Sequence, residues 1–221
     1  AENPLIVTDG ERVFNSDQLL HLPLIPRELI VVGGGVIGLE YSAMMTALGT
    51  RVTLIDQRPT LLDFADHELI ESLCHHLRED GVTFRLGEKV LSVSRNGDRV
   101  IAQRESGKTV KGDALLYAVG RQANSDLLRL DAAGITADER GKIAVNEYFQ
   151  TSVPHIYAAG DVIGFPALAA TSMEQGRLAI THSLGLPMKT APHLLPFGIY
   201  TIPEISMVGR TERDLTAAKI R

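Results

Sequence analysis

Tryptophan is absent from the 221 residues, aromatic residues make up 5%, and there is a single cysteine, Cys74. One cysteine excludes an internal disulfide framework and supplies no cysteine cluster for a metal. No run of 18 apolar residues occurs, so no membrane-spanning helix is expected. A basic excess is also missing: 22 Lys and Arg face 27 Asp and Glu, for a net charge of −5. That balance argues against nucleic acid as a partner. No apolar signal core opens the chain, which fits a cytoplasmic location and no membrane partner. Hydrophobic residues at 44% and charged residues at 22% are ordinary for a globular protein able to bury a core. The chain begins without methionine and ends on TERDLTAAKIR, a helix starting after Thr211 with little to pack on. It reads as a piece of a longer protein.

What is present alternates. Glu28–Gly33 (ELIVVG) is a buried-strand pattern, Gly38–Leu48 a helix, and Arg51–Asp56 (RVTLID) a second strand. Asp66–Glu79 is a second helix, ended by Gly81, and Val82–Leu86 a third strand. Lys89–Arg95, Arg99–Arg104 and Lys108–Lys111 suggest a small antiparallel excursion, with a hairpin turn at Asn96–Gly97. Ala114–Ala118 is a further buried strand. This order points to an α/β fold with a parallel sheet covered by helices. After Gly120 the pattern changes. Asn124–Ala133 is turn-rich, Ile143–Asn146 and His155–Ala159 read as short strands, and Ala167–Leu184 as a helix with Pro187 beyond it. The expected first domain is 27–119, with 1–26 and 120–190 belonging to a second unit into which it is inserted.

The chemistry starts at IVVGGGVIGLE, where Gly33, Gly35 and Gly38 fill a G-x-G-x-x-G pattern between a strand and a helix. The first glycine permits the tight turn. The second leaves room for a pyrophosphate, and the third lets the helix approach the sheet. Free N–H groups at the helix start would face the phosphates. Asp56 ends the next strand, eighteen residues after Gly38, where a carboxylate accepts the adenosine-ribose hydroxyls of NAD. Arg58, two residues on, is placed to meet a 2′-phosphate, so NAD and NADP both stay open. Glu40 is either a helix-start carboxylate favoured by the dipole or a group near the nicotinamide. Cys74 falls inside a helix as core, and His75, His76 and His155 show no catalytic pattern. Asp161, in TSVPHIYAAGD, is a lone carboxylate after a short apolar run, with no role in the first fingerprint.

Four stretches carry a resemblance: Val31–Ser42, Tyr117–Leu128 (YAVGRQANSDLL), Thr151–Ala169 (TSVPHIYAAGDVIGFPALA) and Tyr200–Glu212 (YTIPEISMVGRTE). Together they resemble the FAD-containing pyridine nucleotide–disulfide oxidoreductases, most closely the transhydrogenase branch. The resemblance covers nearly the whole chain. It implies a Rossmann-like NAD(P)-binding domain at 27–119 inserted into a partial FAD-binding domain, 1–26 and 120–190. The stretch 191–221 would be a linker and the start of a C-terminal interface domain. It implies FAD, NAD and NADP as cofactors, and hydride passage between NADPH/NADP and NADH/NAD through the flavin. Gly160 and Asp161 match the turn and aspartate at the FAD ribityl–phosphate region. Ala169 matches the start of a helix aimed at the flavin. Gly120 matches a glycine near the nicotinamide cofactor, and Glu40 a glutamate that pairs with a lysine beside the flavin. The family's second glycine fingerprint, its redox cysteine pair and its C-terminal His-Pro…Glu group are not in this sequence. The other implied readings are a disulfide oxidoreductase of the dihydrolipoamide dehydrogenase type and, for the chain alone, an NAD(P)-binding module that does not turn over. Family members are usually homodimers.

Overall fold

The structure is a computed structural model that describes residues 6–187 and 197–220. It separates into two compact units, Glu2–Gly120 with Gly198–Arg221, and Arg121–Phe197.

In the first unit the chain runs through β1 (Val13–Phe14), α1 (Ser16–Leu19), β2 (Glu28–Val32), α2 (Val36–Ala47), β3 (Arg51–Asp56), α3 (His67–Glu79) and β4 (Thr83–Leu86). An antiparallel β5 (Val90–Asn96), β6 (Arg99–Arg104) and β7 (Thr109–Gly112) follow, then β8 (Ala114–Tyr117). The main sheet has the order β1-β8-β2-β3-β4 and every pairing in it is parallel. In β2, Leu29, Ile30, Val31 and Val32 are all buried, as expected of a parallel strand covered on both faces. The helix α3 buries Ile70, Leu73, Cys74 and Leu77, the i, i+3, i+4, i+7 stripe that turns one face to the sheet. A second apolar layer joins the two sheets: Ile30, Val32, Ile55 and Leu115 cluster with Val90, Val100 and Ala102 of the antiparallel strands.

Two placements differ from the sequence reading. Residues 1–26 were expected with the flanking unit, yet Val13 pairs with Leu115 and Phe14 with Leu116, both nearly fully buried. A two-residue strand is too short to show a period, so the sequence pattern carries no sign of it. The expected strands at Ile143–Asn146 and His155–Ala159 are only isolated bridges, Ala137–Ile143 and Gln150–Tyr157. Local side chains divert the backbone there. Asn146 Oδ1 accepts from the N–H groups of Tyr148 and Gln150, and the Thr151 hydroxyl donates to nearby carbonyls.

The second unit holds 3-10 turns at Asp126–Leu128, Leu130–Ala133 and Gly160–Ile163, and the helix α4 (Ala169–Ser183). That helix is ended by Gly185, at φ +64, with Pro187 two residues beyond. The Leu186 N–H bonds back to Thr181 and that of Gly185 to His182, closing the last carbonyls. The chain ends with β9 (Phe197–Ile199), β10 (Ile205–Met207) and α5 (Glu212–Ala217), capped by Thr211 as expected. The expected boundary near residue 190 lies outside the described residues.

Candidate nucleotide-binding site

The strand β2 ends at Val32 and the chain turns at once into α2. Gly33 sits at φ +106, and a Cβ there would lie 2.4 Å from the Ala118 carbonyl oxygen. A Cβ on Gly38 would lie 1.8 Å from the Gly33 oxygen. Both positions therefore admit only glycine. Gly35 is different: it is extended, and a Cβ on it would meet nothing within 4 Å. Space is left there that the protein itself does not use. Gly35 is also the N-cap of α2 and makes no side-chain cap bond. The first-turn N–H groups, at the positive end of the helix dipole, are left for an anion.

Asp56 ends β3 beside this turn and is 6% exposed. Its Oδ2 accepts from the Gly34 N–H at 2.5 Å and from Arg58 Nη2 at 2.8 Å. Its Oδ1 accepts from the Arg58 N–H at 2.8 Å and Nε at 3.0 Å. Burial is the largest influence on this carboxyl and pushes its pKa up, but the bonds from Arg58 and Gly34 outweigh it and hold it below the usual range. The bond to Asp56 likewise raises the Arg58 pKa against the effect of burial. Both groups are ionised at neutral pH. Arg58 keeps 41% of its side chain exposed against 5% for Asp56, so the cation is the outward member of the pair.

Gly34 escaped the sequence reading. A Cβ on it would lie 2.3 Å from Leu61 Cδ2 and 3.2 Å from Asp56 Oδ2. The only trace in the sequence is that the glycine run is three long. Glu40 lies on α2, and its Oε1 accepts from the Tyr200 N–H at 2.9 Å, a partner the sequence did not suggest. Gly120 follows β8 at φ +143 with open space around it.

The second unit holds the remaining candidates. Gly160, at φ +81, donates its N–H to the buried Gln175 Oε1 at 2.7 Å. Asp161 is exposed on the same 3-10 turn. Ala169 opens α4 and is exposed, and the N-cap Leu168 makes no side-chain bond to the helix start. Gly160, Asp161 and Ala169 thus present a bend, a carboxylate and an uncapped helix end within one unit. Cys74 is buried, and burial pushes its thiol pKa up. His75 faces Glu79 at 3.4 Å and His76 bonds the Ser72 carbonyl, which places both as helix-surface residues. Among the described residues no group of His, Cys, Asp and Glu is arranged to hold a metal, and no helix is long and apolar enough to cross a membrane.

Known proteins resemble this chain along most of its length. The soluble pyridine nucleotide transhydrogenase of Mycobacterium tuberculosis is 50% identical over 212 residues, 96% of this chain and 45% of the relative. That of Photobacterium profundum is 46% identical over 213 residues, again 45% of its length. The chain thus spans about half the length of the curated relatives it matches. Among solved structures, LpdA of Mycobacterium tuberculosis superposes with a TM-score of 0.92 at 32% identity, over 99% of this chain and 48% of that one. The HOCl-induced flavoprotein disulfide reductase RclA of Escherichia coli gives 0.89 at 29% identity, over 98% of this chain and 50% of that one. The family model described as pyridine nucleotide-disulphide oxidoreductase matches residues 5–176, and the chain belongs to that family.

Proposed function

We propose that the whole protein is a cytoplasmic, homodimeric FAD-dependent transhydrogenase that passes hydride between NADPH/NADP and NADH/NAD. Within it, 27–119 carries the nicotinamide dinucleotide, and 120–190 contributes Gly160, Asp161 and Ala169 to the flavin side. A bound flavin supplies the hydride-carrying chemistry. The chain's own residues bind and orient. Gly35 leaves the space for a pyrophosphate, and the α2 start stabilises its charge. Gly120 leaves the backbone open after β8. Glu40 holds the Tyr200 N–H, fixing the segment after β9 against α2.

The observation that carries this reading is the Asp56–Arg58 pair. A transhydrogenase must accept dinucleotides with and without a 2′-phosphate. Asp56 offers a carboxylate to the ribose hydroxyls of NAD. Arg58, already ionised and outward, offers a guanidinium to the 2′-phosphate of NADP. Replacing Arg58→Ala is expected to weaken NADPH about tenfold while leaving NADH within about twofold, the scale of one charge-assisted hydrogen bond. Asp56→Ala is expected to weaken NADH more than NADPH. Titration with each dinucleotide measures both, and a Kd ratio that neither substitution moves would sink the assignment.

A further inference from the structure

The residues 57–66, between β3 and α3, begin at the proposed 2′-phosphate group and end under the C-terminal segment. At the near end, Arg58 pairs with Asp56, and Gly87 donates its N–H to the Arg58 carbonyl at 3.0 Å. Mid-loop, Leu61 and Leu62 are buried, and Leu62 is held at φ +46, a conformation that β-carbon sterics disfavour. Asp63 Oδ1 accepts from the Thr60 hydroxyl at 2.7 Å, and its charge acts on Arg58. At the far end, α5 takes hold. The Arg213 guanidinium donates to the Asp63 carbonyl. The Glu212 N–H donates to Asp66 Oδ2 at 3.1 Å, while Asp66 Oδ1 accepts from the Glu68 N–H at 3.4 Å. One carboxylate therefore caps two helices at once.

We infer that Asp66 and Arg213 form a clasp by which the C-terminal segment sets the shape of loop 57–66, and through it the discrimination between NADP and NAD. The inference rests on the assignment of Arg58 to the 2′-phosphate. The two cofactors depend on the loop unequally. Asp56 is fixed by β3 and by the Gly34 N–H. Arg58 projects from the loop, and the charge of Asp63 in the same loop acts on its guanidinium. Ordering the loop that carries Arg58 and Asp63 in advance lowers the cost of receiving a 2′-phosphate and matters little for a ribose diol. Asp66 and Arg213 are thus positioning residues, acting through Asp63 and Arg58.

The substitution Asp66→Asn separates the clasp from ordinary helix capping. Asparagine is as good an N-cap for α3 as aspartate, but it has one acceptor oxygen, and its amide nitrogen cannot accept from Glu212. The expected result is an unchanged melting temperature, faster amide exchange across 59–65 with α3 unaffected, and a Kd(NADPH)/Kd(NADH) ratio raised about threefold. Removal of a negative charge by itself would lower that ratio, so the sign separates loop ordering from simple electrostatics. Arg213→Ala should move the ratio the same way, and Arg213→Lys should restore it in part. If Arg58→Ala moves the ratio and Asp66→Asn does not, or lowers it, the clasp is overturned. If Arg58→Ala leaves the ratio unmoved, or neither dinucleotide binds, the assignment of Arg58 fails and the clasp's role in discrimination falls with it.

Discussion

Four glycines in six residues do four different things. Gly33 lets the backbone turn under the Ala118 carbonyl, and Gly38 lets α2 begin against Gly33 itself. Gly34 gives way to Leu61 and hands its N–H to Asp56, and Gly35 leaves space open. Substitution should separate these roles. Gly33→Ala adds a Cβ against backbone at a positive φ and is expected to cost about 2–4 kcal/mol, read by denaturant unfolding. The outer glycines and Asp56 were legible because their spacing is the signature of a strand–turn–helix unit. Gly34 was not, because its reason lies 22 residues away at Asp56 and in the loop at Leu61. Asp66 read as a helix start and is one, but its second bond, to Glu212, joins residues 146 apart and leaves no local pattern. Cys74 bears out its reading as core: at 2% exposure, with burial raising its pKa, it should resist alkylation in the native chain and react on unfolding.

At the scale of elements, an ion cluster ties the antiparallel strands to the start of β2. Arg99 of β6 donates to Glu28 and to Asp113, Arg51 of β3 donates to Glu28 at 2.7 Å, and the Glu28 N–H donates to Asp113 at 3.0 Å. The Arg99 bond is the largest cause of the lowered Glu28 pKa. A carboxylate whose folded pKa is depressed adds stability above its unfolded pKa, and that contribution is lost as pH falls through the folded value. Arg99→Ala should therefore lower Tm at pH 7, and the difference from wild type should shrink below about pH 4. The groups are partly exposed, so the effect is small and salt-sensitive. The core strands and helices of this unit were readable because each is long enough to show its period. Strand β1 is two residues, and its burial is imposed by β8, a hundred residues on. The two strands expected after Gly120 were lost to Asn146 and Thr151, whose side chains compete for the backbone.

For the whole molecule, the parallel sheet and the family could be read from sequence, while cofactor preference could not: in the proposed site it would turn on how Arg58 shares itself between Asp56 and a ligand. Acid should weaken the fold through the same pair. Asp56 and Asp9 both have lowered pKa values despite burial, which opposes ionisation. Their stabilisation is complete at neutral pH and declines below about pH 4, so a Tm profile should fall on the acid side. Ligand linkage works in the other direction: NADH at 100 times its Kd should stabilise the nucleotide-binding unit by about 2.7 kcal/mol.

The most direct test lies at Gly35, where the fold and the ligand make opposite demands. Gly35→Ser places a strong N-cap at an extended backbone position with no neighbour within 4 Å. The melting temperature should hold or rise. If the space over the α2 start receives the pyrophosphate, the same side chain intrudes on it, and NADH affinity should fall about tenfold or more. A Gly35→Ser chain that melts no lower and binds NADH as tightly as wild type would contradict the assignment of this turn to dinucleotide binding.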